Sequence, residues 1–150
     1  MMNVTNQPVL VVEDDDNDVL FVQRAFKHAG ILNPLQIVRN GDDAVAYLEG
    51  SGTFSDREKY PLPVFMLLDL KMPRRSGLEV LQWVKERDGL RRIPIVVLTS
   101  SKNEKDVNRA YELGANSYLV KPVSFEGLIE LTKSLHLYWL VLNERPSAER

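Results

Sequence analysis

The chain of 150 residues carries a formal net charge of −2, with 44% hydrophobic and 27% charged residues and no cysteine. That balance fits one globular domain and excludes disordered and fibrous classes, a disulfide framework, thiolate metal sites and cysteine nucleophiles. Arg74-Arg75 and Arg91-Arg92 are isolated basic pairs, the opening MMNVTNQP has no charged and apolar leader, and no window approaches a membrane-spanning run. Neither nucleic acid nor membrane is an expected partner, and the cytoplasm is the expected compartment.

In chain order, VLVV at Val9 to Val12 reads as a first strand ending at Glu13-Asp14. The acidic run EDDDND then opens a helix, with Asp16 or Asn17 as the expected cap and Asp15, Asp16 and Asp18 favouring its positive end. Val19, Val22, Phe26 and Ala29 recur at helical spacing before Gly30. Leu35 to Val38 is a second strand, and Ala44, Val45 and Leu48 mark a second helix ending at Gly50. SGTFSDREKYPLP, residues 51 to 63, is longer than the usual connection and is expected to be a tolerated surface excursion.

Val64 to Leu68 is an unbroken apolar run between Pro63 and the Met72-Pro73 turn, the pattern of a strand buried on both faces, and it runs straight into Asp69. Such a carboxylate costs several kcal/mol unless protonated, paired or given a cation. A third helix follows Gly77 with Val80, Leu81 and Val84, and a fourth strand, Ile95 to Leu98, ends at Thr99-Ser100. Val107, Ala110, Tyr111 and Leu113 mark a fourth helix, and Tyr118 to Val120 a fifth strand ending at Lys121-Pro122. The last helix is expected from its cap Ser124 to about Asn143, giving a domain at 8–143 with tails at 1–7 and 144–150.

Five β-α repeats with strands this apolar imply an α/β fold, a parallel sheet with helices on both faces. Ligands of such sheets bind beyond the carboxyl ends of the strands. Glu13, Asp14, Asp69, Thr99, Ser100 and Lys121 are therefore expected on one rim. Its carboxylates would repel each other without a cation, and hard oxygen donors without histidine or sulfur favour Mg²⁺. Asp69 beside Mg²⁺, the Lys121 ammonium and the Thr99 hydroxyl has what a phosphoacceptor needs. Taken singly, each residue has a plainer reading as cap or strand terminator, so the joint placement carries the argument.

The set Glu13-Asp14, Asp69 in LLDLKMP followed by Gly77, Thr99-Ser100 and Lys121-Pro122 resembles the receiver domain of two-component response regulators over about residues 8 to 142. The resemblance implies a flavodoxin-like three-layer sandwich: a five-stranded parallel sheet of order 2-1-3-4-5 with five helices. It implies that Asp69 is phosphorylated by a histidine kinase. Glu13, Asp14, Asp69 and the backbone carbonyl of Lys71 would hold Mg²⁺, and Thr99, Ser100 and Lys121 the phosphoryl oxygens. It implies a cis Lys121-Pro122 peptide and a switch that couples Thr99 to Tyr118. Lys71 is an uncommon residue two places after the acceptor, and with Ser101 is expected to influence how long the phosphorylated state lasts.

No DNA-binding module follows the fifth helix, so output is expected through binding or phosphoryl relay. LYWLVL at 137 to 142 is apolar on consecutive positions, which points to a homodimer through helix four, strand five and helix five, with Tyr111, Tyr118, Tyr138, Trp139 and Leu142 as the partner face. The long 51 to 63 loop and extended last helix resemble stand-alone regulators that serve cyanobacterial phytochromes, so the expected kinase is of phytochrome type. Two other classes share parts of this pattern. A haloacid-dehalogenase-type phosphohydrolase needs an acid where Lys71 stands, and a phosphorylation-independent pseudo-receiver would not need the complete residue set.

Overall fold

The computed structural model describes residues 7–137 and residue 139. Its elements run β1 (Val9–Val12), α1 (Asp16–His28), β2 (Leu35–Val38), α2 (Gly41–Glu49), a 3-10 turn (Gly52–Phe54), β3 (Phe65–Leu68), α3 (Gly77–Lys85), β4 (Ile95–Thr99), α4 (Glu104–Glu112), β5 (Ser117–Val120) and α5 (Phe125–Leu135). The strands pair in parallel in the order β2-β1-β3-β4-β5.

Alternation along a strand sends successive side chains to opposite faces, which explains why the central strands need apolar residues at every position. Leu10, Val12, Met66, Leu68, Ile95 and Val97 pack against α2, α3 and α4 through residues such as Tyr47, Val80 and Ala110. Val9, Val11, Phe65, Leu67, Val96 and Leu98 face α1 and α5 through Val22, Phe26, Leu128 and Leu135. β1, β3 and β4 are buried throughout, whereas the edge strands β2 and β5 are mostly half-buried.

Capping differs from the sequence expectation at α1. Asp15, not Asp16 or Asn17, is the cap, its side chain accepting from Asp18 N at 3.0 Å. The expected Ser124 cap of α5 is present, accepting from Gly127 N. Beyond Leu135, His136, Leu137 and Trp139 continue in wider π-helical turns. Trp139 is partly buried and packs against the core cluster formed with α1 and α5, while Tyr138 and Leu142, also expected on the partner face, lie outside the described residues.

The 51–63 segment is more than a surface excursion. Arg57 donates to the carbonyls of Tyr47 (2.8 Å), Leu48 (2.6 Å) and Tyr60 (3.1 Å). These include carbonyls that the end of α2 leaves without helical partners. Tyr47, Phe54 and Tyr60 pack ring against ring beneath it. No helix among the described residues is long and apolar enough to cross a membrane.

Candidate functional site

The parallel ladder continues one step past the strand tips and so positions the site. Glu13 N donates to Val38 O (3.0 Å), Asp69 N to Val12 O (3.1 Å) and Lys121 N to Thr99 O (2.8 Å). Backbone pairing thus anchors the residue after each of β1, β3 and β5. Behind Asp69 there is no room for a side chain on Gly77, whose Cβ would lie 2.2 Å from the Asp69 carbonyl oxygen. A Cβ on Gly41 would likewise lie 2.0 Å from Arg75 O, so the loop after the acceptor rests on the start of α2.

Carboxylate oxygens of Glu13, Asp14 and Asp69 gather within 4.8 Å of one another. Glu13 and Asp69 are buried and Asp14 is exposed, so the cluster opens to solvent on one side. Lys121 Nζ lies 2.6 Å from Glu13 Oε1, 2.8 Å from Asp18 Oδ2 and 3.0 Å from Asp69 Oδ2. Burial pushes Glu13 up to about 7, against the opposing pull of its hydrogen bonds with Lys121 and with Asp15 N. For Lys121 burial works against the charge, but the bonds to Asp18, Glu13 and Asp69 outweigh it and hold the ammonium above the ordinary lysine range.

Thr99 is fully buried, and its Oγ1 has no hydrogen-bond partner among the described residues. Leaving a buried hydroxyl unmatched costs about 1–3 kcal/mol, which an incoming ligand oxygen would recover. The cluster offers only hard oxygen donors and one wet side, which fits a divalent ion such as Mg²⁺ that keeps part of its water shell.

The expected residues distribute unevenly. Glu13, Asp14, Asp69 and Lys121 come together, with Thr99 buried at the end of β4 and Ser100 exposed beside it. The Lys71 side chain is exposed, and its Nζ is 4.0 Å from Asp106 on α4. Lys71 N points at Asp69 Oδ1 from 3.4 Å. Tyr118 is half-buried; its hydroxyl donates to Ser101 O (3.0 Å), and its amide donates to the hydroxyl of the exposed Tyr111 (3.1 Å). Ser101 in turn donates to Asp106 at 2.6 Å.

Two expectations need correction. There is no cis peptide among the described residues, so Lys121-Pro122 is trans; three carboxylates gather around the ammonium in that arrangement. Asp18 does more than favour a helix terminus, because its carboxylate binds Lys121 across 103 positions of sequence. The acidic run signalled only that a carboxylate was present, not the direction in which it points.

Residues 9–133 match the family of the response regulator receiver domain. The chain belongs to this family. This receiver domain is 39% identical over 150 residues to response regulator Rcp1 of Synechocystis sp., covering 99% of this chain and 100% of that one. It is 40% identical over 141 residues to the probable methanogenesis regulatory protein FilR2 of Methanothrix harundinacea, covering 92% and 86%. The crystal structure of the phosphorylated cyanobacterial phytochrome response regulator RcpA superposes with a TM-score of 0.87 at 33% identity, covering 95% of this chain and 99% of that one. The Mn²⁺-bound form of Rcp1 superposes with a TM-score of 0.83 at 38% identity, covering 93% and 99%. The receiver is thus a two-component signalling protein that resembles stand-alone cyanobacterial phytochrome regulators, in a family that pairs with histidine kinases. Its Glu13-Asp14-Asp69 cluster is able to hold a divalent metal.

Proposed function

We propose that Asp69 accepts a phosphoryl group from a phosphohistidine of a phytochrome-type kinase, and that the change of state is read on the α4, β5 and α5 face. An Asp69 carboxylate oxygen attacks phosphorus as the phosphorus–nitrogen bond to the imidazole breaks, giving an aspartyl phosphate and a free histidine. Glu13, Asp14, Asp69 and the Lys71 carbonyl would hold Mg²⁺, which when bound neutralises charge on the transferring group. Lys121, already 3.0 Å from Asp69, supplies a second positive charge to the phosphoryl oxygens. Thr99 and Ser100 donate hydroxyl hydrogens to those oxygens, and for Thr99 this satisfies a buried group that otherwise has no partner. The movement of Thr99 frees space for Tyr118, whose bond to Ser101 O ties it to the loop leading into α4. Tyr111 and Tyr118 belong to the surface through which two copies pair in the cytoplasm.

One observation carries the reading: a half-buried ammonium contacts Glu13 and Asp69, two of the three carboxylates clustered at the sheet's ligand edge. Incubation with acetyl phosphate and Mg²⁺, followed by intact mass and size-exclusion measurement, tests it. Wild type should gain one phosphoryl group and shift toward dimer, and Asp69→Asn should do neither. Labelling that survives Asp69→Asn, or that ignores chelation of the divalent ion, sinks the assignment. Many turnovers per chain would instead indicate a hydrolase, and an unlabelled wild type a pseudo-receiver.

A further inference from the structure

Asp18 belongs neither to the carboxylate cluster Glu13-Asp14-Asp69 nor to the residues assigned to the phosphoryl group, yet its Oδ2 is 2.8 Å from Lys121 Nζ. A lysine ammonium has three hydrogens to donate. Here they are matched by Glu13 Oε1, Asp18 Oδ2 and Asp69 Oδ2. Two of those three acceptors are carboxylates that a divalent cation would also claim. A cation entering the cluster draws charge from Glu13 and Asp69 and repels the ammonium beside them. Of the three carboxylates on Lys121, only Asp18 stands outside the cluster.

Its position is built in by the local structure. Asp18 sits in the first turn of α1, its amide bonded to the Asp15 cap at 3.0 Å, and Val19 and Val22 anchor the helix in the core. The Asp18 side chain is 36% exposed and the Lys121 side chain 17% exposed. The two meet at a cleft between α1 and α5 that is also lined by Phe21, Pro122 and Phe125. A carboxylate serving only the helix terminus would have no need to face a half-buried cation carried just past β5.

We infer that Asp18 is a positioning residue. It holds Lys121 at the edge of the site when a divalent cation occupies the carboxylate cluster, so that cation and ammonium act together on the phosphoryl group instead of displacing each other. This role rests on Asp69 being the acceptor. Without Asp18, the ammonium falls back on Glu13 and Asp69 alone and competes with the cation for them.

The test is a double-mutant cycle of Asp18→Asn and Lys121→Met, with Asp18→Glu as the conservative variant. Mg²⁺ affinity is read by calorimetric titration without any phosphoryl donor, and labelling by acetyl phosphate is followed separately. Asp18→Asn should weaken Mg²⁺ binding roughly threefold to tenfold, as expected for loss of a charge-assisted hydrogen bond. In the Lys121→Met background the same change should cost less than about twofold, because no ammonium remains to compete. Asp18→Glu should recover part of the loss. An equal weakening in both backgrounds means that Asp18 acts on the ion by its field alone, and this overturns the inference. So does an unchanged affinity in Asp18→Asn. If wild type binds Mg²⁺ but is never labelled at Asp69, the acceptor assignment fails on its own, while the binding cycle still decides what Asp18 does.

Discussion

Arg57 in the 51–63 segment and Lys121 at the rim are both cations partly withdrawn from water, and each has three oxygen partners. Those of Arg57 are backbone carbonyls, neutral dipoles that carry no net negative charge to draw in a second cation. Those of Lys121 are carboxylates, two of which sit in a cluster with a third acid and so remain open to a competing cation. The hydroxyls follow the same division: Tyr47 donates to Pro61 O at 2.7 Å, while Thr99 Oγ1 has no partner among the described residues. Where every polar group is matched within the chain, the segment supports the fold. Where charge is crowded and a donor is left over, the protein keeps a place for a ligand.

The largest effect is expected at Gly77. A Cβ there meets the Asp69 carbonyl oxygen at 2.2 Å and Leu70 Cα at 2.7 Å, and both are backbone atoms. Gly77→Ala should lose more than about 3 kcal/mol in urea unfolding, together with acetyl phosphate labelling. Wild-type stability would mean that the backbone behind Asp69 has room to shift.

Arg57→Ala comes next. It removes the guanidinium bonds to three carbonyls, of which that of Tyr47 keeps the Gly50 amide, and should cost about 2 kcal/mol while leaving the labelling rate of Asp69 unchanged. A parallel fall in labelling would show that the two regions are not separable.

The rim should also reveal itself by pH. Glu13 is raised from 4.5 to about 7, so the metal-free folded protein retains a proton that the unfolded chain releases. That contribution to stability is complete below the unfolded value and is lost as pH rises through the folded one. Melts of metal-free protein should show a decline on the order of 1–3 kcal/mol across this window. The decline should be absent in Glu13→Gln, and an identical slope in both proteins would remove Glu13 as its source.

The smallest effect belongs to Tyr47, which burial pushes up from 10 to about 12. Stability from this phenol is full below pH 10 and lost as pH rises through 12. Tyr47→Phe should cost about 1 kcal/mol at neutral pH, since Pro61 O loses its donor, yet should flatten the alkaline decline.

Much of the architecture was readable from the chain because β1, β3 and β4 are covered on both faces and, Thr99 at the end of β4 apart, are apolar at every position. The strand tips were readable because the first polar residue after each run marks where the strand ends, at Glu13 and Asp69, while Thr99 closes β4 as its last residue. Arg57 was not readable, since an arginine in a polar loop carries no sign that helix-end carbonyls lie beside it. The lean of Lys71 toward Asp106 was equally hidden, because it depends on how α4 sits beside the loop after β3.

The order of apolar runs and periodic segments was enough to determine a parallel sheet and the rim on which its acids, hydroxyl and lysine emerge, because burial on two faces leaves few other arrangements. Only the folded chain decided which carboxylate of EDDDND meets Lys121. Each step along a helix turns a side chain by about 100°, so starting α1 after Asp15 rather than after Asp16 or Asn17 changes which acid points at β5. That phase is set by the packing of Val19 and Val22 against the sheet, together with a contact spanning 103 residues, and no local pattern encodes it.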